Sequence, residues 1–149
     1  MKKALLSLLE TANDNRSLIP RIIVGFVFLS EGIQKLLFVE LVGTSLFREI
    51  GFANYHFWTY FVSFFEIICG ALIMAGLFVR FASVPLLIIM ITAIFTTKVP
   101  LLAYRGFWTM IHESEIDFAM IGLLIFLLIY GAGKGSFDYR LTIRRELKS

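Results

Sequence analysis

The chain has 149 residues, of which 58% are hydrophobic and 17% are charged, and its net charge is +3. Soluble domains average about 45 to 50% apolar and about 25% charged residues, so this composition argues against a soluble protein. The basic residues are concentrated at helix ends and in the C-terminal tail, which membrane topology explains better than nucleic-acid binding. We therefore expect a single domain embedded in a lipid bilayer, with no nucleic-acid partner.

The N-terminal segment MKKALLSLLE begins with two lysines and continues with a short apolar run. The residues that follow, TANDNR, offer no small-residue cleavage site of the kind that ends a signal peptide. We therefore predict a short interfacial helix rather than a removed signal.

Four apolar stretches follow, at residues 17–38, 57–78, 81–97 and 116–131. A helix needs about 20 residues to cross the hydrocarbon layer, which the first two stretches exceed and the last two approach. The sequence thus predicts an all-α fold, an integral membrane four-helix bundle that forms one domain over residues 1–149. Residues 132–149 are expected to be a basic cytoplasmic tail.

The connections between these stretches suggest the topology. The first connection, VELVGTSLFREIGFANYH, has apolar residues at helical spacing, which predicts a short amphipathic helix on the outer surface over the bundle mouth. The turn at Arg80 is so short that the second and third helices must be antiparallel neighbours. Most lysines and arginines lie in the N-terminus, in this turn and in the C-terminal tail, so both termini should be cytoplasmic in an inner membrane.

The first helix carries charge inside its span, which is expensive in hydrocarbon. With a rotation of about 100° per residue, one face collects several polar and small residues. They are Arg21, Gly25, Phe28, Glu31, Gly32 and Lys35, with Gln34 at the edge. We expect this face to turn toward the bundle interior and the opposite face to contact lipid. Arg21 lies near the cytoplasmic end, where it is expected to anchor the helix by reaching lipid phosphates.

Polar residues of the other helices are predicted in the same outer half of the bundle, where a small amphipathic ligand could enter from the outer leaflet. The candidate catalytic residues are Glu66 and Glu31, and the candidate ligand-binding residues are Gln34, Lys35, Ser63, Thr92, Thr96 and Glu115. A buried carboxylate can exchange protons with a carbonyl or hydroxyl ligand. Quinone is a cofactor that fits, because its electron steps are coupled to protons.

Two other interpretations remain open. In one, Glu31 and Lys35 form an i,i+4 ion pair while Lys35 neutralises Glu66, so that these charges only fix the helix register in a structural membrane subunit. In the other, the same carboxylates couple ligand release to protonation in a non-enzymatic binding or transport module.

Motifs for other cofactors are weak. The acidic and histidine residues of the outer connections are His56, His112, Glu113, Glu115 and Asp117. Their spacing matches no closed zinc pattern, and acidic residues before the fourth helix are explained by its positive N-terminal dipole. The two histidines lie outside the spans, so they do not suit a haem. The segment GAGKGS lacks the residue spacing of a phosphate-binding loop. Cys69 has no partner cysteine in a CxxC motif, which argues against a thiol redox site. The sequence thus indicates no metal, haem or flavin site.

Several short motifs occur along the chain in a particular order. They are Arg21, Gly25, Phe28, residues 32–35 (GIQK), residues 47–52 (FREIGF), Glu66, Gly70, Gly76-Leu77, Arg80, Glu115 and residues 131–138 (GAGKGSFD). Together they resemble the DoxX family of small four-helix membrane proteins over about residues 16–140. Glu31 departs from the family pattern, which often has histidine before the glycine, and Ala132 replaces a proline.

The resemblance implies the four-helix fold and an association with quinone-linked membrane oxidoreductase systems, sulfur oxidation or oxidative-stress complexes. We therefore predict a quinone-interacting subunit or accessory of a membrane redox system. The sequence leaves open whether the chain is itself an oxidoreductase. Because it has no evident electron carrier of its own, a redox partner protein is implied, and a homo-oligomer is also compatible with the sequence.

Overall fold

The computed structural model describes residues 15–49, 51 and 53–146, and every regular element among them is helical. The predicted all-α class is confirmed, whereas the predicted N-terminal interfacial helix lies outside the described residues. In chain order the elements are α1 (Leu18–Leu37), a π-helical segment (Val39–Gly43), α2 (Thr44–Glu49), α3 (Tyr55–Ala75), α4 (Val79–Ala93), a second π-helical segment (Ile94–Lys98), α5 (Val99–Arg105), α6 (Phe107–Tyr130) and α7 (Phe137–Glu146).

The third and fourth long helices extend beyond the predicted stretches 81–97 and 116–131. One helix runs without interruption from Val79 to Arg105, and α6 already begins at Phe107. The residues around Pro100 were expected to be a connection. The structure places this proline in the first turn of α5, directly after the π-helical segment Ile94–Lys98. Which parts of these helices lie in a membrane stays a prediction.

The outward-facing side chains of the long helices are mainly apolar. Ile19, Phe26, Phe81, Phe95 and Ile116 are between 65 and 73% exposed. So large an apolar surface marks a membrane or protein contact. Two helices, Tyr55–Ala75 and Val79–Arg105, are long and apolar enough to cross a membrane.

The other long helices, α1 and α6, have 20 and 24 residues and are also long enough to span. Each of them holds three charged residues. These are Arg21, Glu31 and Lys35 in α1, and Glu113, Glu115 and Asp117 in α6.

The long helices pack in cyclic order: α1 against α3, α3 against α4, α4 against α6, and α6 against α1. Helices α1 and α3 approach most closely, at small residues. A Cβ atom added to Gly25 would lie 2.9 Å from the backbone oxygen of Gly70, and one added to Gly32 would lie 2.9 Å from that of Ser63. The backbones of these two helices are therefore in direct contact.

We expect Gly32→Ala to lower the free energy of unfolding by about 1–3 kcal/mol, because the added methyl group forces α1 away from α3. The matched control is Gly122→Ala in α6, where an added Cβ meets nothing within 4 Å. Unfolding in mixed detergent and SDS micelles measures both variants. Equal stability of the two variants would contradict the close approach of α1 and α3.

Candidate functional site

The buried charged side chains of the described residues, Arg21, Asp138, Lys35 and Glu66, lie in two clusters, one near each end of α1. Arg21 and Lys35 are separated by about 21 Å along the helix axis, from a rise of about 1.5 Å per residue. The first group, here called the Arg21 cluster, consists of Arg21, Gly76, Ala132, Ser136 and Asp138. The second, the Lys35 cluster, consists of Glu31, Lys35 and Glu66. The two clusters differ in which of their hydrogen-bonding groups a ligand could contact.

Arg21 does not reach toward lipid phosphates, so that prediction is wrong. Only 3% of the residue is exposed, and its Nη1 donates to the carbonyl oxygen of Ala132 at 2.7 Å. The segment after α6 folds back over the start of α1 and supplies this acceptor. Gly76 makes room for the guanidinium, because a Cβ atom there would lie 2.7 Å from Nη1.

Asp138 ties the C-terminal segment to the start of α4. Its carboxylate accepts hydrogen bonds from the backbone N–H groups of Phe78 at 2.8 Å and Val79 at 3.1 Å, which would otherwise be unsatisfied at a helix N-terminus. Burial raises the pKa of the Asp138 carboxyl, whereas these N–H groups and the charge of Arg21 lower it. Residues 132–149 were predicted to be a basic cytoplasmic tail. Within this range Ser136 and Asp138 are buried, because residues 132–138 close one end of the helices.

The Lys35 cluster joins α1 to α3. Lys35 Nζ lies 2.6 Å from Oε1 and 2.7 Å from Oε2 of Glu66, and both side chains are almost entirely buried. Glu31 Oε2 is 3.7 Å from the same ammonium group, but half of the Glu31 side chain is exposed. Both carboxylate oxygens of Glu66 are thus bonded to Lys35, whereas the oxygens of Glu31 can still accept hydrogen bonds from a ligand.

A cavity of about 660 Å³ lies beside this cluster. Its charged and hydroxyl-bearing lining is Glu31, Lys35, Glu66, Thr92, Thr96, Thr97, Lys98 and Asp117. The remaining wall is apolar and includes Phe28, Trp58, Phe61, Ile88, Met90 and Met120. The first connection adds Leu41, Val42 and Phe47, so the predicted short helical cover does border the cavity. The volume falls within the range of about 300–1,000 Å³ that is typical of small-molecule sites.

Lys98 and Asp117 form a second ion pair at this cavity, and neither was among the candidate site residues. Lys98 Nζ and Asp117 Oδ2 are 3.9 Å apart, and Oδ2 is shielded from solvent without a hydrogen-bond partner among the described residues. The spacing of residues along α6 indicates that Asp117 faces inward. It lies three and seven residues before the buried Met120 and Leu124, hence on the same inward face.

Three predicted ligand-binding residues lie away from the cavity. Gln34 is exposed and donates to Ser30 Oγ at 3.0 Å, and Glu115 is exposed with an oxygen 3.3 Å from His112 Nδ1. Ser63 is buried and donates to the carbonyl oxygen of Thr59 in its own helix at 2.7 Å. The cavity thus brings together Glu31, Lys35, Glu66, Thr92 and Thr96 from the predicted set.

Within residues 15–49, 51 and 53–146, no group of three or more histidine, cysteine, aspartate or glutamate side chains is placed to hold a metal ion. Cys69 is a free, buried thiol in the core of the protein. The charged and hydroxyl groups that line the cavity are three carboxylates, two ammonium groups and three threonine hydroxyl groups.

Comparison with known proteins identifies the family. The family model described as DoxX matches residues 17–99, which include Arg21, Lys35, Glu66 and Lys98. The uncharacterized membrane protein Rv3486 of Mycobacterium tuberculosis is 43% identical to this chain over 130 residues, which is 83% of this chain and 80% of the relative. No solved structure matches. The chain belongs to the DoxX family, as the motif resemblance predicted.

We expect Glu66→Gln to destabilise the protein by about 3–5 kcal/mol, because it leaves the buried ammonium group of Lys35 without its counter-charge. The double variant Lys35→Met with Glu66→Met removes both charges and should recover most of this loss. SDS-induced unfolding of Lys35→Met, Glu66→Met and the double variant gives the coupling energy. Additive losses in the double variant would show that the two side chains do not interact.

Proposed function

We propose that the chain is an integral membrane protein in which α1, α3, the helix from Val79 to Arg105, and α6 cross the bilayer as a four-helix bundle. The outward-facing apolar side chains support this arrangement, as does the membrane-protein description of the mycobacterial relative. The charges of α1 and α6 do not argue against it. Arg21 and Lys35 are buried against protein partners, and Asp117 borders the cavity.

The bundle is proposed to lie in an inner membrane with both termini cytoplasmic. The Arg21 cluster lies at the cytoplasmic end in this orientation, next to Arg80, Lys134 and Arg140. Basic residues concentrate on the cytoplasmic side of membrane proteins. The cavity is then in the outer half of the membrane.

A periplasmic reporter enzyme fused after Ser149 should be inactive, and a cytoplasmic reporter at the same position should be active, because the C-terminus is cytoplasmic in this topology. Reporter activity in an intact bacterial host measures both fusions. The reverse pattern would overturn the orientation and place the cavity near the inner leaflet.

We further propose that the cavity binds a small amphipathic molecule of the quinone class, and that the protein serves a membrane redox system as a quinone-interacting subunit or accessory. One observation carries this proposal: a cavity with mainly apolar walls contains ammonium groups and carboxylates from different helices. Lys35 and Glu31 come from α1, Lys98 from the second π-helical segment and Asp117 from α6. The planar, largely apolar ring of a quinone suits the walls, and its oxygens suit these charged groups.

We propose different roles for the two predicted catalytic carboxylates. Both oxygens of Glu66 are bonded to Lys35, so Glu66 fixes the ammonium group rather than handling protons. Glu31 is half-exposed and only loosely paired with Lys35, so it is the better acceptor for a ligand proton. Electrons would have to come from a partner protein, because this proposal gives the chain a binding role.

Filling the cavity tests the proposal without touching the charged groups. Ala93 borders the cavity, so Ala93→Phe should exclude the ligand from a folded protein. The matched control is Ala119→Phe on α6, whose residue is exposed and does not border the cavity. After purification in mild detergent, mass spectrometry of the extracted lipids should find stoichiometric quinone with the wild type and the control, and at least about tenfold less with Ala93→Phe.

Other outcomes would select the other interpretations. A bound molecule without redox chemistry, displaced by Ala93→Phe, would indicate a binding or transport module. Wild-type protein that retains no molecule, with variants that alter only thermal stability, would indicate a structural membrane subunit. Either result would overturn the quinone proposal.

A further inference from the structure

The two ion pairs at the cavity differ in how completely they are bonded. Lys35 Nζ is within 2.7 Å of both Glu66 oxygens, whereas Lys98 Nζ is 3.9 Å from Asp117 Oδ2. The second distance is too long for a hydrogen bond. Asp117 Oδ2 is also shielded from solvent and has no hydrogen-bond partner among the described residues. A shielded acceptor without a partner costs free energy until a donor reaches it.

The segment that carries Lys98 is itself irregular. Ile94–Lys98 is π-helical, and none of its residues is buried. Such segments inside longer helices occur frequently at functional sites. Thr96 and Thr97 donate their hydroxyl hydrogens to the carbonyl groups of Thr92 and Ala93, at 2.8 and 2.6 Å. The segment therefore places Lys98 at the cavity, whereas the hydroxyl hydrogens of Thr96 and Thr97 are bonded within the helix.

The charges of the cavity favour ligands that donate hydrogen bonds. Its ionisable groups are the carboxylates of Glu31, Glu66 and Asp117 and the ammonium groups of Lys35 and Lys98. The carboxylates thus outnumber the ammonium groups by one. The ammonium group of Lys35 is already hydrogen-bonded to Glu66. Glu31 and Asp117 line the same cavity, so their negative charges repel each other. An anionic ligand would add to this repulsion, whereas a hydroxyl group would relieve it.

We infer that the cavity prefers the reduced, dihydroxy form of a quinone to the oxidised form, with Asp117 and Glu31 as the acceptors that make the distinction; this rests on the function proposed above. A quinol has two hydroxyl donors, which match two carboxylates whose oxygens are not occupied by Lys35. A quinone has only acceptors, and Lys98 is the one ammonium group at the cavity that lacks a close hydrogen bond among the described residues. Lys98 and Asp117 are therefore specificity-determining residues.

The two tryptophans of the chain allow a direct binding measurement. Trp58 borders the cavity, whereas Trp108 is 81% exposed, so a Trp108→Phe background leaves Trp58 as the single reporter. In lipid nanodiscs, decylubiquinone should quench the fluorescence of Trp58. Anaerobic competition with decylubiquinol then gives its affinity relative to the quinone. We expect the quinol to bind at least about tenfold more tightly, the effect of one charge-assisted hydrogen bond.

Asp117→Asn in this background should bring the affinity ratio of quinol to quinone close to one, while Glu115→Gln, an exposed control outside the cavity, should leave it unchanged. Lys98→Gln offers a second variant that keeps Asp117. It should weaken quinone binding and raise the ratio. A wild type that binds neither form would overturn the proposed function itself. Binding of both forms with equal affinity would overturn only the preference for the quinol, and a ratio that Asp117→Asn does not alter would overturn the role of Asp117 in that preference.

Discussion

The hydrogen-bonded pair of Lys35 and Glu66 is the constraint on which the arrangement of the helices depends. Two charges removed from water and from lipid headgroups must meet each other, since either one alone would be strongly destabilising. The pair forms only in one register of α1 against α3. Gly32 permits the contact, because any larger residue would separate the two backbones at the level of Ser63. Glycine packing and ion pairing thus specify the same register.

The Arg21 cluster holds the opposite end of the molecule together by different means. Arg21 of α1 contacts the Ala132 carbonyl after α6, and Asp138 accepts the N–H groups at the start of α4. Three segments distant in sequence are thereby joined at one end. The cavity lies toward the other end of α1, beside Lys35, where the first connection borders it.

The sequence predicted the parts of this structure that depend on helical periodicity. The buried face of α1, with Arg21, Lys35 and the two glycines, follows from the spacing of these residues. The pairing of Lys35 with Glu66 was one of the interpretations that the sequence left open. The partner of Arg21 could not be predicted, because it is a backbone carbonyl 111 residues away. Asp117 and Lys98 were missed because their residue types were explained by a helix dipole and a helix end. Only the long-range packing of the helix from Val79 to Arg105 against α6 shows that they face a cavity.

The motifs of the DoxX family therefore divide by physical role rather than by position along the chain. Arg21, Gly76 and Asp138 close one end of the helices, and the hydrogen bonds of Arg21 and Asp138 go to the protein itself. Lys35 and Glu66 satisfy each other and set the register. Asp117, which lies outside the residues of the family match, is the carboxylate with an unsatisfied oxygen at the cavity. Free hydrogen-bonding capacity, more than charge or burial, therefore separates the groups that can act on a ligand from those that hold the helices in place.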